Sequence, residues 1–315
     1  MKESDEFLVL QKYFSNLGSQ YNDSSGIVVG PGDDAGLFSA KKSDLIFSTD
    51  VSNSDIHFPK SLAPDLIAYR ACSVAASDIP ACGGTLKWLS ISLVTPSKEL
   101  NWLKEFARGL KLFTKTYKIP IIGGDLSKGK SCSVSVGVCG EVNYKQFLSR
   151  KGAKAGDSIY VSGVLGLAKL GLQIIKSKKT NLTTDENKYV KKFLKPKVHT
   201  LLGKNLRNIA NSCIDISDGL LGDLGHICQQ SNLGAEVNID LIPYKGSYKD
   251  ALTWGDDYEL CFTVPQNKER ELNQICKKLK LKKYKIGKIT FRKGIKIYKG
   301  NKEIFIKSKS YNHFS

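Results

Sequence analysis

Cys213-Ile214-Asp215-Ile216-Ser217-Asp218-Gly219-Leu220 sets polar Asp215 and Ser217 against Ile214 and Ile216, then passes into a helical pattern running to about Gln230. Two-residue alternation predicts a strand over Cys213 to Ser217, with Cys213, Asp215 and Ser217 on one face and both isoleucines buried on the other. Asp218 is predicted to open the helix, because a short carboxylate accepts from its free N–H groups. A strand C-terminus that runs into a helix N-terminus is where α/β proteins commonly receive anionic ligands.

Working outward, strands and helices keep alternating. Ile27 to Val29 reads as a strand, as does Leu45 to Asp50, whose alternation puts Ile46, Ser48 and Asp50 on one face. A helix is expected from about Ala63 to Ala76, ending near Asp78, followed by a strand at Leu86 to Leu93 and a helix at Lys98 to Tyr117. Ile119 to Ile122 reads as a short strand leading into Gly123-Gly124-Asp125, and Cys132 to Val142 as another. Phe7 to Leu17 carries apolar residues at helical spacing. Polar residues and two glycines interrupt the pattern between Tyr144 and Asp157, so the chain is divided into domains 1–145 and 146–315. The second begins with a strand at Ser158 to Ser162 and a helix near Leu167 to Ile175. It continues through helical patterns to Ala210, strands at Ala235 to Ile239 and Tyr258 to Val264, a helix at Lys268 to Leu279 and a β-rich end. The architecture expected is α/β, with α+β as its wider class.

At 315 residues, 41% hydrophobic and 25% charged, the chain is long and apolar enough for two folded cores. No stretch has the length of a membrane span, and the first residues, Met1 to Glu6, are acidic where a secretory signal is basic; a cytoplasmic protein is expected. The net charge of +18 raises nucleic acid as a partner, but the lysines fall in short clusters broken by acids, which reads as a solvated basic surface and not a nucleic-acid groove. The eight cysteines form no Cys-x-x-Cys pair and sit in apolar surroundings, so reduced, buried thiols are expected instead of zinc ligands.

Aspartates recur among small residues at Gly32-Asp33-Asp34-Ala35-Gly36, Ser48-Thr49-Asp50, Ser77-Asp78, Gly123-Gly124-Asp125, Asp215 to Gly219 and Gly255-Asp256-Asp257. Each alone suits a turn or a cap. Together they suit Mg²⁺, which takes a few carboxylates plus substrate phosphates. Gly124 to Ser131 also matches the phosphate-loop pattern G-x-x-x-x-G-K-S, but the β-rich Cys132 to Val138 follows where that motif needs a helix, so Lys128 and Lys130 are assigned to a hairpin or surface turn.

These stretches, with Ile56-His57-Phe58, Arg150, Gly156-Asp157 and Asp257-Tyr258-Glu259-Leu260, stand in the order seen in thiamine-monophosphate kinases, and the chain resembles that family. The wider superfamily includes aminoimidazole ribonucleotide synthetase and selenophosphate synthetase. The resemblance implies a two-domain fold like aminoimidazole ribonucleotide synthetase and a homodimer paired through the N-terminal sheet; the charge pattern and the hydropathy already lead to the expectation of no nucleic-acid and no membrane partner. The resemblance further implies ATP-dependent phosphorylation of thiamine monophosphate to thiamine diphosphate by direct in-line transfer. By position, Asp34, Ser48, Thr49, Asp50, Asp78, Asp125, Asp215 and Asp218 would hold several Mg²⁺ ions, with Asp125 and Asp218 central to catalysis. Gly124, Asp125, Arg150 and Ser217 would contact ATP, and His57 and Asp256 the acceptor. The alternatives are another ATP-dependent enzyme of the superfamily with a different acceptor and a catalytically silent nucleotide-binding relative; no Cys occurs in the first 30 residues to supply the reactive thiol of a selenophosphate synthetase.

The chain departs from the family pattern on the acceptor side. Ala75 stands for Asn, Asp55 for glycine, and Trp254-Gly255-Asp256-Asp257 for Gly-Gly-Glu-Asp, while Ser308 occupies the place of a C-terminal tryptophan. Tyr311, Phe314 and Trp254 are the candidates to supply the missing aromatic surface.

Overall fold

The computed structural model describes residues 27–29, 33–39, 43–96, 99–306 and 310. The helix expected at Phe7 to Leu17, and Ser308, Tyr311 and Phe314, lie outside these residues.

Six strands build the first sheet: β1 (Ile27–Val29), β2 (Gly36–Ser39), β3 (Ser43–Asn53), β4 (Thr85–Thr95), β5 (Ile121–Lys128) and β6 (Ser133–Asn143). Their order is β1-β2-β3-β6-β4-β5, antiparallel throughout except between β4 and β5. Helices α1 (Pro64–Ala81) and α2 (Leu100–Tyr117) cover one face, where Ile46, Leu89 and Val136 pack with Ile79 and Phe113. Alternation along β3 turns Phe47, Thr49 and Val51 to the opposite, open face, where Phe47 meets Trp88 with ring centroids 6.2 Å apart.

The second sheet has the order β13-β12-β9-β11-β7-β10-β8, and only β9 and β12 run parallel. Its strands are β7 (Ser158–Val161), β8 (Ser212–Asp215), β9 (Gly234–Asn238), β10 (Leu260–Val264), β11 (Tyr284–Thr290), β12 (Gly294–Lys299) and β13 (Lys302–Ile304). Around them lie α3 (Leu167–Ser177), α4 (Thr184–Leu194), α5 (Thr200–Leu206), α6 (Leu220–Gln230), α7 (Tyr248–Thr253) and α8 (Glu269–Lys278). The alternation of strands and helices holds as expected, but the pairing is mainly antiparallel, so the fold is α+β in detail.

Both faces of the second sheet are covered. Leu220, Leu224 and Ile227 of α6 pack with Ile214 and Ile216, while Leu202 and Leu206 of α5 and Leu272 of α8 pack with Cys213 and Phe262. Cys213 and Asp215 are therefore both buried, not exposed as one-faced alternation had predicted. The alternation itself was right; the second layer of helices was not visible in it.

α1 runs to Ala81, five residues beyond the end expected, and carries Asp78 in its last turn. It is buried on nearly every side because it lies between the first sheet and β8, α4 and α5 of the second unit. Small residues at Ala71, Ala75 and Ala76 allow that double contact.

Candidate functional site

A cleft of about 270 Å³ opens where α1 and β3 of the first unit face the ends of β8 and α4 of the second. It is acidic at one end and mainly apolar and aromatic at the other.

The acidic end is assembled from elements far apart in the chain. β3 brings Asp50 on its inner face, the last turn of α1 brings Asp78, and the end of β8 brings Asp215, with Ser217 and Asp218 just beyond it. Asp34, before β2, joins them: one carboxylate oxygen from each of Asp34, Asp78 and Asp215 lies within 4.8 Å of the others. Ser48 Oγ is 2.5 Å from Asp78 Oδ2 and 3.1 Å from the Asp34 carbonyl oxygen. Asp33 turns away, accepting from the Arg150 backbone N–H at 2.8 Å and from Ser149 Oγ at 3.0 Å.

Negative charge here exceeds its balance. Burial, then Asp215 and Asp218, push the Asp50 carboxyl up to about 6. Burial together with neighbouring aspartates also pushes Asp78 and Asp223 well above the usual carboxylate range. Asp215 is raised by burial despite Ser77 and Arg150. Asp78 stands at the negative end of the α1 dipole, which adds to the repulsion. Arg150 is the cation that faces this end, paired with Asp34 and itself lowered by burial. Asp34 Oδ2 is buried and accepts no hydrogen bond among the described residues. An all-oxygen set of close, unbalanced carboxylates fits hard divalent cations such as Mg²⁺.

Several expected residues are placed differently. Asp218 does not cap α6: Gly219 holds the cap position, and Asp223 reaches back so that its Oδ2 accepts the Asp218 N–H at 3.2 Å. Thr49 turns its side chain to the open sheet face, leaving only its backbone toward the cluster. Gly123, Gly124 and Asp125 lie within β5 and not in a loop after it. Register places Gly124 in one transverse row with Ile91, Val136 and Asp50, three inter-strand spacings or about 14 Å away. Asp125 is exposed and shares its row with Val51, on the opposite face from Asp50. Gly124 has φ +157°, and a Cβ there would meet the Ile91 carbonyl oxygen at 1.8 Å, so β5 can lie against β4 only with glycine at that position. After Lys130 the chain enters β6, so no helix N-terminus exists for a phosphate loop.

The other end is lined by Ile56, His57, Leu172, Phe193, Trp254 and Tyr258. His57 Nδ1 accepts the Asn53 N–H at 2.9 Å, which leaves Nε2 to carry the proton of the neutral ring. Asp55 adopts φ +65°, the left-handed conformation that explains why a glycine suits this position in the family.

Arg70 organises this wall, and its role was not read from the sequence. Its guanidinium donates to the Phe193 carbonyl at 2.5 Å and the His57 carbonyl at 3.3 Å, lies 3.9 Å from the Phe193 ring centroid, and pairs with Asp256 Oδ1 at 2.5 Å. Asp256, expected to meet the acceptor, lines the cleft but spends one carboxylate oxygen on Arg70. The available signal was a single arginine in the small, apolar run from Ile67 to Ala76. Asp223 was missed because its spacing from Asp218 matches no motif.

A second buried ionic group lies behind the cleft. Glu259 meets Lys192 of α4, Ser162, and His199 Nε2 at 2.8 Å. Burial raises this carboxyl, but Lys192 and His199 outweigh it and hold it well below the usual range. α4 is set in place by a capping box in which Thr183 Oγ1 accepts the Glu186 N–H at 3.2 Å and Glu186 accepts the Thr183 N–H at 2.9 Å. All eight cysteines are free, seven of them buried, as composition suggested.

Residues 32–142 match the family described as AIR synthase related protein, N-terminal domain, and residues 154–300 match its C-terminal domain. A thiamine-monophosphate kinase of Buchnera aphidicola subsp. Schizaphis graminum is 38% identical, with 99% of each chain covered. The chain belongs to the thiamine-monophosphate kinase family. The Escherichia coli K12 member of the family is 34% identical over 98% of each chain. The solved structure of AaThiL complexed with AMPPCP and TMP superposes with a TM-score of 0.83 at 29% identity, covering 99% of this chain and 97% of that one. Of the positions that depart from the family pattern, Trp254 and Asp256 line the aromatic end of the cleft, and Asp55 stands two residues before His57. No helix among the described residues is long and apolar enough to cross a membrane.

Proposed function

We propose that this protein phosphorylates thiamine monophosphate with ATP, giving thiamine diphosphate and ADP by direct in-line transfer. An oxygen of the acceptor's phosphate attacks the γ-phosphorus while the bond to the ADP oxygen breaks, and no residue is phosphorylated in between. The observation that carries this reading is a cleft with buried, unbalanced aspartates at one end and an aromatic wall around His57 at the other. Phosphoryl transfer asks a protein for position and charge compensation more than for a nucleophile.

Asp34, Ser48, Asp50, Asp78, Asp215 and Asp218, with the Thr49 backbone, are assigned to Mg²⁺; Asp125, expected among the ligands and central to catalysis, lies outside this cluster because the register of β5 turns it to the far face of the sheet. Bound there, the ions supply neutralisation of the phosphate oxygens and of the charge developing during transfer. Arg150 is assigned to the ATP phosphates, with its guanidinium already held in place by Asp34. Ser217 and Gly124 are assigned to nucleotide contacts, and His57 and Asp256 to the acceptor. Residues 1–145 are proposed as the ATP, Mg²⁺ and dimerisation domain and 146–315 as the second domain. The apolar open face with Phe47, Val51 and Trp88 supports pairing of the first sheet with that of a second copy. Reduced thiols accord with work in the cytoplasm.

Incubation with ATP, Mg²⁺ and thiamine monophosphate, with both products followed by mass spectrometry, tests the reading. Stoichiometric ADP and thiamine diphosphate are expected. ADP alone would move the acceptor to another molecule of the superfamily's kind, and neither product would favour a silent nucleotide-binding relative.

A further inference from the structure

Trp254 lines the cleft beside Asp256 and Tyr258. Two sets of contacts hold it there. Lys169 Nζ lies 4.2 Å from the indole centroid and is pinned by Asp250 Oδ1 at 2.7 Å, so the ring is braced by a cation that is itself held. The backbone is laced to the phosphate end: Asp256 N–H donates to the Ser217 carbonyl at 2.7 Å, Tyr258 N–H to the Ile216 carbonyl at 2.8 Å, and Trp254 N–H to the Asp250 carbonyl at 2.9 Å. Gly255, at φ +81°, brings the loop so close that a Cβ would meet the Ser217 carbonyl oxygen at 2.1 Å. The indole thus stands at a fixed offset from Ser217 and Asp218, across a cleft whose remaining wall includes Ile56, Leu172 and Phe193.

A rigid aromatic plate at a set distance from a phosphate-handling cluster measures a ligand with a planar ring at one end and a phosphate at the other. We propose that Trp254 is a specificity-determining residue of this chain, stacking on the heteroaromatic part of the phosphorylated acceptor. This rests on the kinase reading above and assigns its acceptor end.

The test uses the full-length enzyme and the substitutions W254F and W254L. The chain has three tryptophans, and the other two, Trp88 and Trp102, lie in the first unit. The fluorescence lost in W254F therefore reports on Trp254. Thiamine monophosphate alone should quench this component. W254L should raise the acceptor KM about tenfold with the KM for ATP unchanged, while W254F stays near the wild type. Turnover by the wild type with no quenching and an unchanged acceptor KM in W254L would overturn the assignment and leave the kinase reading standing. Quenching by ADP in place of thiamine monophosphate, with the KM for ATP raised in W254L, would overturn it in favour of a base-stacking role. A wild type that neither turns over nor binds thiamine monophosphate would overturn both.

Discussion

Two buried ionic groups lie close together in this molecule and obey opposite rules. Around Glu259, one carboxylate meets Lys192, His199 and Ser162, and every charge has its partner inside the protein. Around Asp78, several carboxylates converge on the single guanidinium of Arg150, and burial with mutual repulsion raises their proton affinity. The first arrangement is complete as folded and serves to join α4, β10 and the segment before α5. The second keeps an excess of negative charge inside the protein, which the proposed Mg²⁺ ions would balance.

The widest separation between the two should come from paired substitutions. D218N is expected to lower turnover by about 10²–10³-fold, with the thermal midpoint unchanged or raised, because one repelling charge is removed. E259Q is expected to do the reverse, losing about 3–5 kcal/mol of stability because Lys192 is left without its counter-charge, while kcat per folded molecule stays nearly unchanged. Denaturant titration with an activity assay on the same samples checks both. Equal effects on stability from the two changes would remove the distinction.

The next largest effect concerns pH. The Asp50 carboxyl rises from 3.8 to about 6 and that of Asp257, through burial first, from 3.8 to about 7. The folded state therefore holds these protons more tightly than the unfolded chain, and this contribution, full below the ordinary carboxylate range, is lost as pH rises through about 6 to 7. Glu259 works in the opposite direction, but its contribution is lost only as pH falls below the ordinary range, under about 4.5. With a chelator present, the thermal midpoint should drop between about pH 5 and pH 8, and Mg²⁺ should raise it much more at the upper end. A Mg²⁺ response equal at both pH values would contradict the assignment of the acidic end to metal.

A smaller effect is expected at the seam between the two regions. R70K keeps the charge but loses the planar fork that reaches Asp256, Phe193 and His57 together. The acceptor KM should rise about tenfold, with the KM for ATP steady, and D256N added to R70K should cost little more. Additive losses in the double variant would show that the two residues act separately. The smallest effect belongs to K130A, in the turn after β5, which should change ATP binding less than about twofold.

Much of the fold was legible because its signals are local. Leu45 to Asp50 alternates, α2 repeats its apolar residues at helical spacing, and both patterns survive in the structure with only their ends moved. Glycines at 123 and 124 looked like a loop because their chemistry permits one, whereas here they serve a close strand pairing. The length of α1 was underestimated because Ser77, Asp78 and Pro80 weaken helix propensity, and packing on both sides overrides them. Arg70 gave no local sign of its three distant acceptors, two of which lie more than a hundred residues away.

The sequence by itself determined the order of elements, the family and the residue types from which the site is drawn, since alternation, helical period and motif order are properties of neighbouring residues. Only the tertiary structure decided that Asp34 joins Asp78 and Asp215 while Asp33 turns to Arg150, that Asp223 supports Asp218, and that Asp125 lies on the far face of its sheet. Which carboxylates share one buried volume depends on how α1 seats between two sheets. That seating is set by long-range packing, where a like-charge cost of several neighbours is met by the apolar contacts of both units together.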